Sequence, residues 1–301
     1  MVGGYRLGDK GGSLMAGIEL GVPYYVYNPS QAAYFALNSP TDPKFCGYVT
    51  DVTGLDDAGV RENAQVVVAG DGGYHGPFWR DRRPWTISGI VMPIFPLISR
   101  DASQELMEGI FGQAMQSDGF LTWTPADGVQ RMLKFRKQQP FRIATGQAKA
   151  EKTFQMAAVT ADFRVISWAR HVISVSGGGV PLNLTGAVNL GNATASPVII
   201  VTGPAAGTVR IVNTINNKQI TMVPGYNIGA GVVLTIDIMN SAYPSVVDTA
   251  VGNQYGAIDP LNTDWSIGVE PTTSGTNIFA LYATGTSAAT SLQVQWRDSW
   301  L

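Results

Sequence analysis

The stretch Ser291-Leu292-Gln293-Val294-Gln295-Trp296-Arg297 alternates strictly, with Leu292, Val294 and Trp296 on one side and Gln293, Gln295 and Arg297 on the other. A period of two is the signature of a strand with one buried face. Upstream of it, residues 198–201, 208–212, 219–223, 232–238 and 277–282 form further short runs rich in Val, Ile and aromatic residues, divided by Gly, Pro, Asn and Thr. Ile215-Asn216-Asn217-Lys218-Gln219-Ile220 reads as a hairpin turn between two apolar strands. Many short strands with turn signals between them predict a β-sandwich for this part of the chain.

Towards the N-terminus the strand pattern continues, in residues 85–91, 120–123, 131–136 and 153–159, but one segment departs from it. Leu106, Met107, Ile110, Phe111, Ala114 and Met115 recur at helical spacing and make one apolar stripe. Asp101 is placed to cap this helix, with Gln104 returning a bond to the Asp101 backbone, and Asp118-Gly119 to end it. The expected fold class is therefore mainly β: an α+β N-terminal domain with one amphipathic helix, and two β-sandwich-type domains in all.

Charge divides the chain. Residues 1–170 carry 17 Lys/Arg and 16 Asp/Glu, whereas residues 171–301 carry 3 and 6. The change falls near the glycine run Ser176-Gly177-Gly178-Gly179, a composition suited to connections. We expect domains at 1–172 and 173–301. Only 14% of all residues are charged, against about 25% in ordinary soluble domains, and 35 are glycine. That balance suits a packed assembly or turn-rich β structure. A net charge of −2 gives no global electrostatic case for binding nucleic acid or a membrane surface. Met1-Val2-Gly3-Gly4-Tyr5-Arg6 lacks the apolar core of a signal peptide, and no apolar run reaches about 18 residues. The expectation is a protein made in a cytoplasm and not inserted in a membrane. The single Cys46 excludes an internal disulfide and reads as a small buried hydrophobe.

Catalytic patterns are missing from the sequence. Neither a GxSxG elbow nor an HExxH helix occurs. His75 and His171 are far apart, and neither has partners at metal-ligand spacing, so no metal or cofactor is expected. The glycines at 70, 72, 73 and 76 fail as a phosphate loop, because no Lys-Ser/Thr pair follows and the next segment, Pro77-Phe78-Trp79, is not the start of a helix. They read instead as a loop. Asp56-Asp57, and Asp71 with Asp81, have loop-like flanks and read as solvated turn acids rather than a catalytic pair. Two basic groups, Arg80, Arg82 and Arg83 beside Trp79 and Trp85, and Arg131, Lys134, Arg136, Lys137 and Arg142, could suit a single nucleic-acid strand. They suit subunit salt bridges and the solvent face of a strand better. The sequons at Asn183 and Asn192 carry little weight without a secretion signal. The chain is not expected to be an enzyme.

An ordered set of short motifs does carry a resemblance. Asp71-Gly72-Gly73-Tyr74-His75-Gly76-Pro77-Phe78-Trp79 is followed by Arg82-Arg83-Pro84, a strand, and a helix opening at Arg100-Asp101. Then come Ser117-Asp118-Gly119-Phe120-Leu121-Thr122-Trp123, Arg136-Lys137-Gln138-Gln139-Pro140 and Phe154-Gln155-Met156-Ala157-Ala158-Val159-Thr160-Ala161-Asp162-Phe163-Arg164. The second half adds Gly191-Asn192-Ala193-Thr194-Ala195-Ser196-Pro197, residues 232–238, Asp264-Trp265, Asn277 and the closing Trp296-Arg297-Asp298-Ser299-Trp300-Leu301. The whole resembles the siphophage distal tail protein family, among the phage minor tail proteins. It departs from the family at Thr272-Thr273-Ser274-Gly275-Thr276, where a Pro-Gly is expected before Asn277.

The resemblance implies a structural virion protein at the phage tail tip, assembled in the host bacterial cytoplasm. Its first domain would form a hexameric ring joining the tail tube to the tail-tip hub of the baseplate. The tape-measure protein would fill the lumen before ejection, and DNA would pass through it only in transit. Tyr74, His75, Phe78, Trp79, Arg82, Arg83 and Trp85 are then candidate subunit contacts, since aromatic residues and arginine are enriched at interface hot spots. The family's second domain is galectin-like, a jelly-roll sandwich akin to carbohydrate-binding modules. That implies an alternative function, a host-surface carbohydrate adhesin with Tyr226, Tyr243, Tyr255 and Trp265 as sugar-stacking candidates. Tail fibres or host cell-wall glycan would be further partners.

Overall fold

The structure, a computed structural model, describes residues 22–54, 60–66, 73–80, 84–93, 99–113, 118–125, 127–137, 141–145, 152–160, 164–238, 244–271 and 276–300. The chain forms two compact units, residues 1–129 with 134–163, and residues 130–133 with 164–300. Both are built mainly of strands. The Ser176–Gly179 run lies inside the second unit, between its strands at His171–Ser176 and Leu182–Ala187.

In the first unit the strands are β1 (Tyr24–Asn28), β2 (Ala33–Leu37), β3 (Phe45–Thr53), β4 (Val60–Val66), β5 (Gly73–Arg80), β6 (Pro84–Val91), β7 (Gly119–Trp123), β8 (Arg131–Lys137), β9 (Arg142–Thr145) and β10 (Lys152–Thr160). Their main sheet runs β8-β7-β1-β2-β3-β6-β10-β9, and β8 also pairs with β10 through Phe135–Thr160 and its neighbours, so the sheet curls back on itself. The periodicity of β1 shows why: Tyr24, Val26 and Asn28 are buried while Tyr25 and Tyr27 are half-buried. Phe35, Leu37, Ile87, Leu121, Phe135 and Met156 fill the interior from neighbouring strands. Gly89 is required where β6 crosses β3, because a Cβ there would lie 2.1 Å from the Tyr48 carbonyl oxygen and 2.7 Å from the Phe154 ring.

Among the described residues one α-helix packs on this unit, α1 (Arg100–Met107), and it continues as a π-helical segment, Glu108–Gln113. Met107, Ile110 and Phe111 are buried and Leu106 half-buried, while Ala114 and Met115 of the expected stripe lie outside the described residues. The cap expected at Asp101 sits two residues earlier. Ser99, with extended backbone, accepts the Ala102 N–H at 3.3 Å. Asp101 therefore falls in the first turn, where its charge suits the helix dipole, and pairs with Lys152. Gln104 does not return to the Asp101 backbone; it donates to Glu108 at 2.9 Å and accepts from Lys152 at 2.8 Å. Asn28 ties strand to helix by donating to the Ile110 carbonyl at 3.1 Å.

The second unit holds β11 (Val165–Ser167), β12 (His171–Ser176), β13 (Leu182–Ala187), β14 (Val198–Thr202), β15 (Ala206–Asn213), β16 (Lys218–Thr221), β17 (Val233–Asp237), β18 (Ser245–Asp248), β19 (Gly252–Asn253), β20 (Asn277–Thr284), β21 (Ser291–Trp296) and β22 (Ser299–Trp300). A six-stranded sheet, β12-β21-β14-β17-β18-β19, faces a four-stranded one, β13-β20-β15-β16. Ile199, Leu234, Leu292 and Val294 from the first share one core with Leu184, Ile211, Phe279 and Leu281 from the second. This is the sandwich expected from the alternation in Ser291–Trp296, whose Leu292, Val294 and Trp296 are indeed the buried face. The β15–β16 hairpin turns at residues 214–217, with Asn217 at φ +55°, a left-handed conformation that asparagine tolerates. The first residues of β8, which belong to this unit, pair with β11, and β11 pairs with β22.

Candidate functional site

The segment singled out for subunit contacts is not a loop. Gly73–Arg80 forms β5 and pairs antiparallel with β4, placing Tyr74 opposite Gln65, His75 opposite Ala64, Phe78 opposite Glu62 and Trp79 opposite Arg61. The glycine and proline content suggested a loop because both residues weaken strands. Among the described residues β4 and β5 pair only with each other, and a strand with one free edge tolerates both. Arg82, Arg83, Asp56, Asp57, Asp71 and Asp81 lie outside the described residues.

Trp85 is a correction. It is 2% exposed, in the core of the first unit, with its ring edge-to-face against Phe135. It sits on the inward face of β6 with Ile87 and Val91, so its apolar area is already spent within the unit.

The second basic group is dispersed by the fold. Arg131 is buried, its guanidinium 4.5 Å from the centroid of the Trp300 ring. Lys134 and Arg136 converge on Asp118, at 3.2 and 2.8 Å. Lys137 lies 6.0 Å from the centroid of the Phe111 ring, and burial pushes its amine below the usual lysine range. These side chains are engaged in pairs rather than presented along one track, which argues against a strand-binding groove.

Of the four sugar-stacking candidates, Tyr255 and Trp265 come together. Their rings are parallel to within 1° with centroids 5.5 Å apart. Tyr255 is 49% exposed, and Trp265 packs partly against the sandwich core. Tyr226 does not present its ring in this way: it packs against the same core and its hydroxyl donates to Asp248 at 3.1 Å. Burial, then the bond to Asp248, raises its phenol well above the ordinary tyrosine range. Tyr243 lies outside the described residues.

Sequence reading missed three features. In the first unit an open groove of about 790 Å³ is lined by Gln104, Glu108, Phe141, Arg142, Thr153 and Gln155. In the second, His171 Nε2 lies 3.0 Å from the buried Asp298 carboxylate, with the His171 ring stacked on Trp296. A third is a cleft of about 360 Å³ on the four-stranded sheet, where Arg210 lies 4.5 Å from the centroid of the Tyr282 ring. Only alternation along β15 and β20 could have signalled that pair, since their register is set by partners some 70 residues apart in sequence. Among the described residues no three His, Cys, Asp or Glu gather where a metal could be held. No helix among them is long and apolar enough to cross a membrane.

A mainly β chain of two compact units, one curled sheet bearing a helix and one sandwich, is an architecture with a known counterpart. Across 92% of its length the chain is similar to SPP1 Dit (gp 19.1), a hub adsorption apparatus protein of phages infecting Gram-positive hosts, covering 99% of that chain at a TM-score of 0.60 and 15% identity. Chains of the phage P2 baseplate in its activated conformation, with Ca and with Sr, align at TM-scores of 0.44 and 0.43 and at 7% and 6% identity, covering 91% of this chain and 97% of theirs. No family model and no curated protein matches the sequence. The fold is thus that of SPP1 Dit.

Proposed function

We propose that the chain is a siphophage distal tail protein, a structural, non-enzymatic component of the virion at the tail tip. The observation that carries this reading is the extent of the match: both units, in order, correspond to nearly all of SPP1 Dit. The ordered motifs from Asp71 to Leu301 support it independently.

In this reading the first domain, residues 1–172, builds a hexameric ring between the tail tube and the tail-tip hub. The second, residues 173–301, is the peripheral module that meets tail fibres or host cell-wall glycan. A ring made of one chain needs two different contact faces per subunit, because heterologous contacts close only when the rotation fits. The β4–β5 ribbon bearing Tyr74, His75, Phe78 and Trp79 supplies a candidate face, with Arg82 and Arg83 following it in sequence. Assembly takes place in the host bacterial cytoplasm, the tape-measure protein occupies the lumen, and DNA crosses it at ejection. No cofactor takes part.

The test is to add the purified chain to tail tubes that lack a tip and to image them. Density capping one end of each tube supports the reading; tubes left bare at both ends contradict it. A second reading, a carbohydrate adhesin, is favoured by the Tyr255–Trp265 pair, whose exposed ring could stack on a sugar. Binding to host cell-wall glycan without binding to tubes would move that reading ahead.

A further inference from the structure

We propose that copies of this chain join by strand addition, with β4 of one copy pairing along the free edge of β9 of the next. The proposal rests on the ring reading and names the two different faces that such a contact requires.

The case begins with unmet backbone groups. Among the described residues β4 and β5 pair only with each other, as a separate two-stranded sheet. A lone ribbon of this kind is marginal in water, and a third strand or packing on another element is what stabilises it. Its two edges are not equivalent. β5 contains Gly73, Gly76 and Pro77, and proline has no N–H to give a further strand. β4 contains neither glycine nor proline, so its outer edge is the one suited to growth.

The complementary edge is β9. It ends the main sheet and, among the described residues, pairs only with β10, from Gln155↔Arg142 to Lys152↔Thr145. It too has no glycine or proline, and Arg142, Ala144 and Thr145 are exposed. Phe154 and Met156 of β10 are buried, so Thr153 and Gln155 face outward, with Ala144 and Arg142 beside them in register. All four line the groove of about 790 Å³, which Gln104 and Glu108 of the helical segment also line. The groove gives the side chains of an added strand a place to pack. Its charges are uncommitted: among the described residues Arg142 makes no hydrogen bond or ion pair, and the Glu108 carboxylate has only the bond from Gln104 at 2.9 Å. A strand bringing one cation and one anion matches them, and β4 has that pair in Arg61 and Glu62.

A second copy is the occupant because the chain holds both halves of the contact. Within one copy the ribbon and the β9 edge belong to separate sheets and leave each other unpaired. Between copies each supplies what the other lacks, one giving and one receiving edge per chain, which is the head-to-tail pattern of a ring.

The experiment is disulfide mapping on the full chain, with Cys46→Ala in every variant and thermal midpoints as the folding control. Chains bearing Ala144→Cys are mixed under a mild oxidant with chains bearing Arg61→Cys, Glu62→Cys, Asn63→Cys, Ala64→Cys or Gln65→Cys, or Tyr74→Cys or His75→Cys from β5. Residues directly opposed on paired strands have Cα atoms about 4.5–5.5 Å apart, within disulfide reach. The expected result is mixed dimers that peak at one β4 position or at alternate ones, about tenfold or more above either β5 position. A chain carrying both cysteines of the best pair should then give a ladder of species up to the hexamer. Light scattering before oxidation reads the ring separately. A hexamer in which no β4 position joins Ala144→Cys, or in which the β5 positions join it instead, overturns the proposal and leaves the ring reading standing. A chain that stays monomeric and forms no mixed dimer overturns the ring reading and the strand addition together.

Discussion

The indole of Trp85 meets the ring of Phe135 edge to face, with centroids 5.1 Å apart and an interplanar angle of 87°. Phe111 of the π-helical segment touches the same Phe135 ring at 5.7 Å, so β6, β8 and the helix share one aromatic cluster. Trp85→Ala should cost about 3–5 kcal/mol of unfolding free energy, the usual range for emptying a large core site. Trp85→Phe should cost less, because the Trp85 indole N–H has no hydrogen-bond partner among the described residues. Urea denaturation checks both. A Trp85→Ala chain as stable as wild type, but altered in self-association, would restore Trp85 to an intersubunit role.

Asp118 gives the first unit an acid-sensitive contact. Burial alone would raise its carboxyl, but hydrogen bonds from Arg136 and Lys134 outweigh burial and hold it below the usual range. With the folded value depressed, the contribution is fully present above the unfolded value, about 3.9, and is lost as pH falls through the folded one. Both cations are substantially exposed, so the pair contributes about 0–1 kcal/mol. Comparing Asp118→Asn with wild type by denaturation should show a small gap at pH 6 that closes as pH falls below the unfolded value and through the folded one. A gap that widens in acid contradicts the assignment.

Cys46 should behave as an inert core thiol. Burial first, then the nearby Asp42 charge, pushes its pKa up to about 12. Thiol reagents at pH 8 should label it only as fast as the protein opens, and labelling in denaturant should be many-fold faster. The raised folded value also means that the neutral thiol's contribution is intact below about pH 8.5 and declines as pH rises above it, where the unfolded thiol ionises. Native labelling at the unfolded rate would overturn this.

The sandwich is fastened at one place by buried amides. Asn213 Nδ2 donates to the Gly268 carbonyl at 2.6 Å and to Asn277 Oδ1 at 3.0 Å. Asn277 Oδ1 also accepts the Glu270 N–H at 2.8 Å, while its Nδ2 donates to the carbonyls of Ala187 and Glu270. Asn277→Ala leaves these groups unsatisfied and should cost about 1–3 kcal/mol. Asn277→Asp should cost more, since a carboxylate oxygen would then face two carbonyls. Calorimetric melting separates the outcomes, and an Asn277→Asp chain melting at or above wild type contradicts the account.

These residues also show what a sequence can reveal. The buried face of Ser291–Trp296 was readable because a strand's period is local, and so was the helical stripe through Met107, Ile110 and Phe111. The cap was misplaced by two residues because Ser99 and Asp101 are both good capping residues, and only the backbone at Ser99 distinguishes them. The strand Gly73–Arg80 looked like a loop because its pairing with Val60–Val66 is a property of two segments. Asn277 gave no local sign of its role, since its partner Asn213 is 64 residues away. The same holds for Arg210 and Tyr282, which the register of β15 and β20 brings together. Local periodicity survives in sequence; non-local pairing does not.

The ring is the central claim, and the mass of the purified chain in solution tests it most directly. Light scattering across concentration and salt, with negative-stain images of the same sample, should give about six times 32.1 kDa and particles with a central hole. A chain that stays at the monomer mass at all concentrations, and also fails to cap tail tubes, contradicts the account.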